Sequence, residues 1–387
     1  MDGSKKSKMN RVFLASDNIV SPLGLSTADN YIAVKEGKTG IALHHKTELW
    51  GDPFYASLLA SLPAFENHAG YTRFERMCIL SIQNALSGTS VRLDDKDTVF
   101  ILSTTKGNIS LLTDKPVSPQ TRSRIALHST AKTVAAYFNA VNMPLVISNA
   151  CISGVLAVLL AKRLLKAGKY KHAVVTGADE LSYFIMSGFR SLHAVSNEPC
   201  KPFDKKRDGI TLGEGAATMI LTTDESLAAC PQKIAIGDGV STNDANHISG
   251  PSRTGAELGF AVAETLKQNH LQPAQISFIS AHGTATVYND EMESKAFESA
   301  QLADVPLHSL KGHFGHTLGA AGVIESLITI YSLRDALVLP NMNYDEYGVS
   351  GKVNISRSVT KTGKHYALKT ASGFGGCNAS IVYSSIN

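Results

Sequence analysis

No stretch of about 18 consecutive apolar residues occurs in the chain, which excludes a membrane-spanning helix. No charged-then-apolar leader opens it, so a secretory route is not expected. Cysteine is scarce: the 387 residues hold five, Cys78, Cys151, Cys200, Cys230 and Cys377, odd in number and without paired spacing. That argues against a disulfide framework or a zinc site and fits a reducing cytoplasm. An excess of one charge is also lacking. A net charge of +4 is too mild for a nucleic-acid binder, so attraction of an acidic partner would have to come from a local basic patch. What is present is a 43% apolar composition, ample for a sizeable core in one large α/β unit or in two or three domains. Residues 1–8, MDGSKKSK, read as a leader or disordered tail outside the fold.

The chain is organised around residues 144–169, PLVISNACISGVLAVLLAKRLLKAGK. Leu145, Val146 and Ile147 read as a strand. Val155, Leu156, Leu159, Leu160 and Leu164 have the spacing of a helix, which Gly168 would stop. Cys151 falls at the turn between them. A thiol at a helix N-terminus meets free N–H groups and a positive dipole end, which favour the nucleophilic thiolate. Gly154, one turn on, leaves room for a substrate. A buried structural cysteine is the plain alternative for this residue taken alone.

Strands are predicted over 11–16, 98–104, 145–147, 172–177 and the GAATMIL segment ending near Leu221, with helices from Thr27 to about Gly37, over 73–86 and over about 128–139. Residues 41–72 read as irregular, and a long loop after Gly177 carries tight turns at Gly209, Gly213 and Gly215 before the terminal strand. The second half repeats the order without repeating the residues. KIAIGDG parallels RVFLASD, ISFIS parallels TVFILST, and GHFGHTLGAAGVIESLITIYSL parallels NACISGVLAVLLAKRLL. The last two strands, 365–370 and 379–384, follow. The halves divide as 9–230 and 231–387, and strands alternating with helices predict mainly parallel sheet. Packed together, such halves bring their reactive turns to one junction.

The second half carries the complementary chemistry. His282 follows an apolar strand, and His316 stands at the turn that pairs with that of Cys151. Neutral imidazoles can donate N–H bonds to a developing oxyanion, which suits reaction at a thioester carbonyl. His313 and His316 are three apart, but no carboxylate completes a metal-ligand set, so no metal is expected. Lys311 and Glu325 flank the histidine turn and could set its charge; a solvated salt bridge is the ordinary reading. The glycines of SGFGGCNAS indicate close backbone approach, from which an N–H could join that of Cys151 in an oxyanion hole. Cys377 reads as a small packed residue or, less simply, as a second acid/base thiol.

In this order, NACISG, PFDKKRDGITLGEG, AHGTATVYND, KGHFGHTLGAAGVIE and SGFGGCNAS resemble the β-ketoacyl-[acyl-carrier-protein] synthases of the elongating Cys-His-His type, from fatty-acid and type II polyketide systems. The resemblance runs from Arg11 over nearly the whole chain. It implies an α/β, thiolase-like, five-layered α-β-α-β-α fold of two pseudo-repeats. It makes Cys151 the acylated nucleophile, His282 and His316 the pair for malonyl decarboxylation and condensation, and Lys311 with Glu325 the supporting charged pair. Phe374 becomes the gate that also lends its amide to the oxyanion hole. Two departures stand out: Val287 replaces the family's usual proline, with Asp290 kept, and STTKGN replaces a glycine-rich, uncharged strand exit. The second puts Lys106 at the acyl pocket and leaves acyl length open.

The implied activity is decarboxylative Claisen condensation of malonyl-carrier with a Cys-bound acyl group, without metal or organic cofactor. The alternatives are a non-decarboxylating thiolase or acyltransferase and a chain-length-factor-like subunit, which would usually lack the cysteine. The implied partners are an acyl carrier protein and a second copy of the chain, or a related subunit, in a dimer. No nucleic acid and no membrane span are expected. Candidate carrier-docking residues are Arg73, Arg76, Arg122, Arg124, Lys206 and Arg207, with Lys205 beside them.

Overall fold

The computed structural model describes residues 11–65, 68–112, 117–228, 232–246 and 250–386. The expected leader, Cys230 and the boundary between residues 230 and 231 lie outside the described residues. Two sets of five strands recur in the same order. The first holds β1 (Phe13–Val20), β2 (Thr98–Ser103), β3 (Leu145–Ile147), β4 (His172–Asp179) and β5 (Gly215–Thr222). The second holds β6 (Lys233–Asn243), β7 (Ile276–Ser280), β8 (Pro306–His308), β9 (Tyr366–Gly373) and β10 (Cys377–Ile386). Their spatial orders, β3-β2-β4-β5-β1 and β6-β10-β9-β7-β8, mirror one another and meet where Phe13 of β1 pairs with Ala235 of β6.

The expectation of mainly parallel sheet is corrected. In each set of five, three strands run parallel, and two more join antiparallel: β4 with β5 and β5 with β1, then β9 with β10 and β10 with β6; Asn354–Ile355 adds a further parallel strand beside β8. The reason is plain in the second half. Only residues 374–376 separate β9 from β10, and so short a connection permits only a hairpin. In the first half the same pairing survives although residues 180–214 intervene.

The longer helices are α1 (Thr27–Lys35), α2 (Arg73–Ser87), α3 (Leu127–Tyr137), α4 (Ser153–Lys166) and α5 (Tyr183–Ser191) in the first half, where a short helix, Pro119–Ile125, precedes α3. The second half has α6 (Ala256–Gln268), α7 (Val287–Ser299) and α8 (Ala321–Arg334). Helices α4 and α8 are sandwiched between the two sheets, where Val155, Val158, Leu159, Val323, Ile324 and Leu327 are buried in one core. Outside the first sheet, Phe74 and Met77 of α2 and Val134 of α3 pack on Phe100, Val174 and Ile220. Outside the second, Leu258 and Val262 of α6 and Met292 and Phe297 of α7 pack on Ile279, Leu368 and Val382. Counting across gives the five layers α-β-α-β-α.

The two central helices cross where only glycine fits. A Cβ on Gly154 would lie 2.8 Å from Gly322 Cα, and one on Gly322 would lie 2.4 Å from Val155 N. Each helix follows a turn containing a non-glycine residue in the left-handed region, Ala150 (φ 44°) before α4 and Leu318 (φ 53°) before α8. The repeat therefore extends from strand order down to the conformation of the two reactive turns.

Differences from the expected elements have local causes. Residues 41–72 are not wholly irregular, because Ile41–His44 pairs antiparallel with Phe54–Ser57, and Ala56 pairs in turn with Leu212. Helix α7 was not foreseen because polar residues interrupt the face it buries, beside Met292, Ala296 and Phe297. Asn289, Asp290, Glu293 and Ser294 are all buried on it, so no apolar period marks it in the sequence. Helix α2, by contrast, starts where a Thr72–Glu75 capping box places it.

Candidate active site

The thiol of Cys151 stands two residues ahead of α4, and its Sγ lies 3.0 Å from Nε2 of His316. His316 precedes α8 by a similar turn, and its position is fixed by the other half of the chain. Its N–H donates to Thr211 O at 2.7 Å, and its carbonyl accepts from Gly213 N–H at 3.1 Å. Gly213 is needed there, since a Cβ would fall 2.1 Å from Phe314 O. His282, at the exit of β7, sets its ring edge-on to that of His316, with centroids 5.2 Å apart. The sulfur and one nitrogen of each imidazole lie within 4.8 Å of one another, all three residues being buried. His313 is not part of this group; its Nδ1 faces Lys38 O at 2.7 Å.

Behind the imidazoles lies a buried ionic cluster. Lys311 Nζ contacts Glu325 Oε1 and reaches Nδ1 of His282 at 3.4 Å and the carbonyl of His282 at 3.0 Å. An ammonium can only donate, so Nδ1 of His282 accepts and its proton sits on Nε2. The sequence reading missed a second lysine. Lys369, fully buried on β9, places Nζ 2.7 Å from Glu325 Oε2, so one carboxylate is held between two ammonium groups. A dication bridging the thiol and imidazoles would face both of them, so the cluster suits anions better than metals.

Burial dominates the protonation of the site. It pushes the Cys151 thiol up to about 12, with Cys377 adding to the rise and Lys311 opposing it. The expected preference for free thiolate at a helix N-terminus is therefore overridden by desolvation, and the resting thiol keeps its proton next to His316. Both imidazoles are held well below their ordinary range, His282 by burial and then by Lys311, His316 and Lys369, and His316 by burial and then by the two lysines. They are neutral across the physiological range.

Two further buried carboxylates, neither singled out as a site residue, hold the backbone of the site. Glu293 on α7 accepts from His282 N–H at 2.9 Å, from Gly283 N–H, 2.6 Å, and from Thr370 Oγ1, 3.0 Å. Asp179, at the end of β4, accepts from Thr104 Oγ1, from the N–H groups of Thr105 and Lys106, and from Gly319 N–H at 2.7 Å. It ties the loop after β2 to the turn after His316. For Glu293 a signal existed: it follows Asp290 by three residues and so shares its helix face. Asp290 itself accepts from Phe203 N–H at 2.7 Å and Ala285 N–H at 3.2 Å.

The remaining candidates divide. Phe374, 38% exposed, stacks on Phe189 with centroids 5.7 Å apart, at the tight turn before Cys377. A Cβ on Gly373 would lie 3.0 Å from Cys151 N and 3.1 Å from Cys377 Sγ, so this turn presses on the nucleophile's amide. Cys377 Sγ donates to Phe374 O at 3.5 Å. Lys106 is half-buried, its Nζ lying 3.5 Å from Thr105 O in its own loop.

The docking candidates differ in what their side chains touch. Arg73 donates to Glu214 and to Leu59 O and lies 3.5 Å from Glu180, and Arg76 is half-buried with Leu62 O at 3.5 Å. Arg207 is buried and donates to the carbonyls of Asp204, Gly348 and Val287. These three guanidinium groups brace the fold. Arg124 is exposed but paired at 2.5 Å with buried Glu75, and Lys205 pairs with Glu346 at 2.6 Å. Arg122 and Lys206 are exposed.

The five layers, the repeat and a cysteine at the central crossing define a thiolase-like fold. Residues 68–226 match the family model of the β-ketoacyl synthase N-terminal domain and residues 234–345 that of its C-terminal domain. The chain belongs to the β-ketoacyl synthase family. It is 34% identical over 255 residues to 3-oxoacyl-[acyl-carrier-protein] synthase 2 of Vibrio harveyi, a match covering 62% of this chain and 61% of that protein. A β-ketoacyl synthase from Burkholderia phymatum STM815 superposes with TM-score 0.88 at 24% identity, over 97% of this chain and 100% of that one. The ishigamide ketosynthase/chain length factor gives TM-score 0.88 at 22% identity, over 97% and 99%. No helix among the described residues is long and apolar enough to cross a membrane.

Proposed function

We propose that the chain is a β-ketoacyl-[acyl-carrier-protein] synthase that condenses malonyl-carrier with an acyl group on Cys151. The observation that carries this reading is the Sγ to Nε2 contact of 3.0 Å between Cys151 and His316, with the N–H donor His282 beside it. In the first half-reaction Cys151 passes its proton toward His316, the sulfur attacks the acyl thioester, and the carrier leaves as the protonated thiol. In the second, malonyl-carrier loses CO2. The electron pair left behind forms an enolate, whose oxygen is stabilised by the neutral imidazole pair, with Nε2–H of His282 as its fixed donor. The enolate carbon attacks the acyl carbonyl and expels the Cys151 thiolate, which takes one proton from solvent.

The amides of Cys151 and Phe374 suit the oxyanion of each tetrahedral intermediate. Lys106 and its loop suit the acyl pocket. Cys377 points its thiol at a carbonyl instead of at the imidazoles, which disfavours a thiolase-type second thiol. Retention of Cys151 disfavours a chain-length-factor role. The four cysteines among the described residues are free and buried, which fits a cytoplasmic setting. Incubation with malonyl-carrier and a panel of acyl-carriers tests the reading: 3-oxoacyl-carrier and one CO2 per condensation are expected, and product without CO2 would overturn it.

Carrier docking falls to the exposed Arg122 and Lys206. Acyl carrier proteins are acidic, and rim charges act on encounter. Arg122→Glu with Lys206→Glu should raise the apparent KM for carrier-bound substrate several-fold and flatten its dependence on ionic strength. Turnover of a small soluble thioester should barely change. Unaltered carrier kinetics would move the docking face elsewhere.

The edge strand β3 supports a dimer. Its half-buried Leu145, Val146 and Ile147 pair only with β2 among the described residues, and Val141 and Met143 beside it are 60% and 66% exposed. A second copy, or a related subunit, adding its own β3 would cover both. Sedimentation at micromolar concentration should give twice 41.3 kDa for the chain alone. A monomer active only with a second, different subunit would favour the heterodimer.

A further inference from the structure

The buried lysine on the strand that ends at Gly373 meets the site from behind, at Glu325 and at the strand exit that leads to His282. Lys369 Nζ lies 2.7 Å from Glu325 Oε2 and donates to Thr370 O at 2.6 Å and to the carbonyls of Ser280 and Ala281, each at 3.3 Å. Ser280 and Ala281 lead directly into His282. Glu325 in turn holds Lys311, whose Nζ fixes the tautomer of His282. Three elements are therefore tied at one ammonium group: the strand exit bearing His282, the central helix α8, and the strand leading to Phe374.

We propose that Lys369 is a positioning residue of the Cys-His-His site, holding the exit of β7 in register and supplying the second positive charge behind the two imidazoles. It does not touch the reacting atoms; it acts through Glu325, Lys311 and the backbone of His282. The charge arithmetic is simple. Lys311, Glu325 and Lys369 together carry one net positive charge, and without Lys369 the cluster is neutral. The other titratable groups facing it are Glu293 from α7, His308 from β8, and His282, His316 and Cys151. Glu293 is the only other anion among these, and it is occupied by the N–H groups of His282 and Gly283. A unit charge several ångströms from an imidazole at an effective dielectric near 20 moves its titration by about one pH unit or more. Burial holds both imidazoles neutral in any case, and Lys311 and Lys369 push in the same direction.

This inference rests on the ketosynthase reading only for its kinetic consequence. The test compares the full chain with Lys369→Met, which removes the charge, Lys369→Gln, which keeps hydrogen-bonding capacity, and Lys369→Arg, which keeps the charge. Selective isotope labelling of the histidines, with spectra recorded against pH, reads His282 and His316 directly and needs no activity. In the Met and Gln variants both imidazoles should titrate about one unit higher than in the unaltered protein, and the Arg variant should move them back. The acid limb of malonyl-carrier decarboxylation should rise by the same amount, with KM for the carrier little changed. Should the Met variant fail to fold, the Gln variant carries the same charge test. Folded charge-removing variants whose imidazoles titrate as before would overturn the proposal. An unaltered protein that makes no 3-oxoacyl product would overturn the ketosynthase reading and leave the titration result standing.

Discussion

Glu325→Gln is expected to lower the melting temperature at pH 7 by on the order of 10 °C, the largest stability loss among substitutions at the site. Its carboxylate is the direct ionic partner of both Lys311 and Lys369, and all three side chains are almost wholly buried. A buried pair contributes little in net stability, because desolvation offsets the Coulomb gain. Removing one partner leaves the other charge uncompensated and costs about 3–5 kcal/mol. Here one substitution orphans two ammonium groups.

The loss should depend on pH in a definite direction. Burial already lowers the proton affinity of Lys369 in the folded chain, and loss of Glu325 lowers it further. An unfolded lysine, near 10.4, then binds protons that the folded one does not, so variant stability rises with pH across the window between the two values. Melting curves at pH 7 and at pH 9.5 check this, the gap to the unaltered protein narrowing at the higher pH. Equal melting temperatures at pH 7 would mean that the two lysines find other partners or lie neutral.

How much of this was legible in the sequence depended on where each element keeps its signal. The central pair α4 and α8 was readable because both are apolar runs entered through small residues, and the repeat pointed to the junction where Cys151 and His316 meet. The antiparallel half of each sheet was not readable: pairing direction follows from the connection, and residues 180–214 hide in the first half what the turn at 374–376 dictates in the second. Helix α7 left no apolar period because it buries Asp290 and Glu293 to hold the backbone of residues 282–285. Lys369 sits in YALKTASG, where a lone lysine in a strand suggests an edge position facing water; only the fold shows it turned toward Glu325. The arginines of α2 have partners that their spacing does not reveal. Arg73 and Arg76 share a helix face as their spacing requires, and that half-buried face meets the Leu59 and Leu62 carbonyls and Glu214.

The largest effect on activity should come from Cys151→Ala. Removing a nucleophile that acts with its base as a unit costs on the order of 10⁴-fold or more in turnover. The fold should persist, since the change deletes one sulfur at a helix-entry turn. Mass spectrometry after incubation with acyl-carrier should show no adduct, and an acyl group on Cys377 would sink the assignment. The histidines should then separate the half-reactions. His316 is 3.0 Å from the sulfur and is its proton partner, so His316→Ala should slow both self-acylation and condensation. His282 offers its Nε2–H to the enolate while Lys311 holds its Nδ1, so His282→Ala should reduce CO2 release by about 10²–10³-fold and leave self-acylation nearly intact. The pH dependence of alkylation provides a second readout. A thiol pushed up to about 12 by burial should react with neutral iodoacetamide slowly at pH 7, except for the fraction whose proton has passed to His316. His316→Ala should therefore slow alkylation at pH 7 and leave only the rise toward alkaline pH. Equal loss of both half-reactions in the two histidine variants, with unchanged alkylation, would contradict the division of labour that the hydrogen bonds of the two imidazoles define.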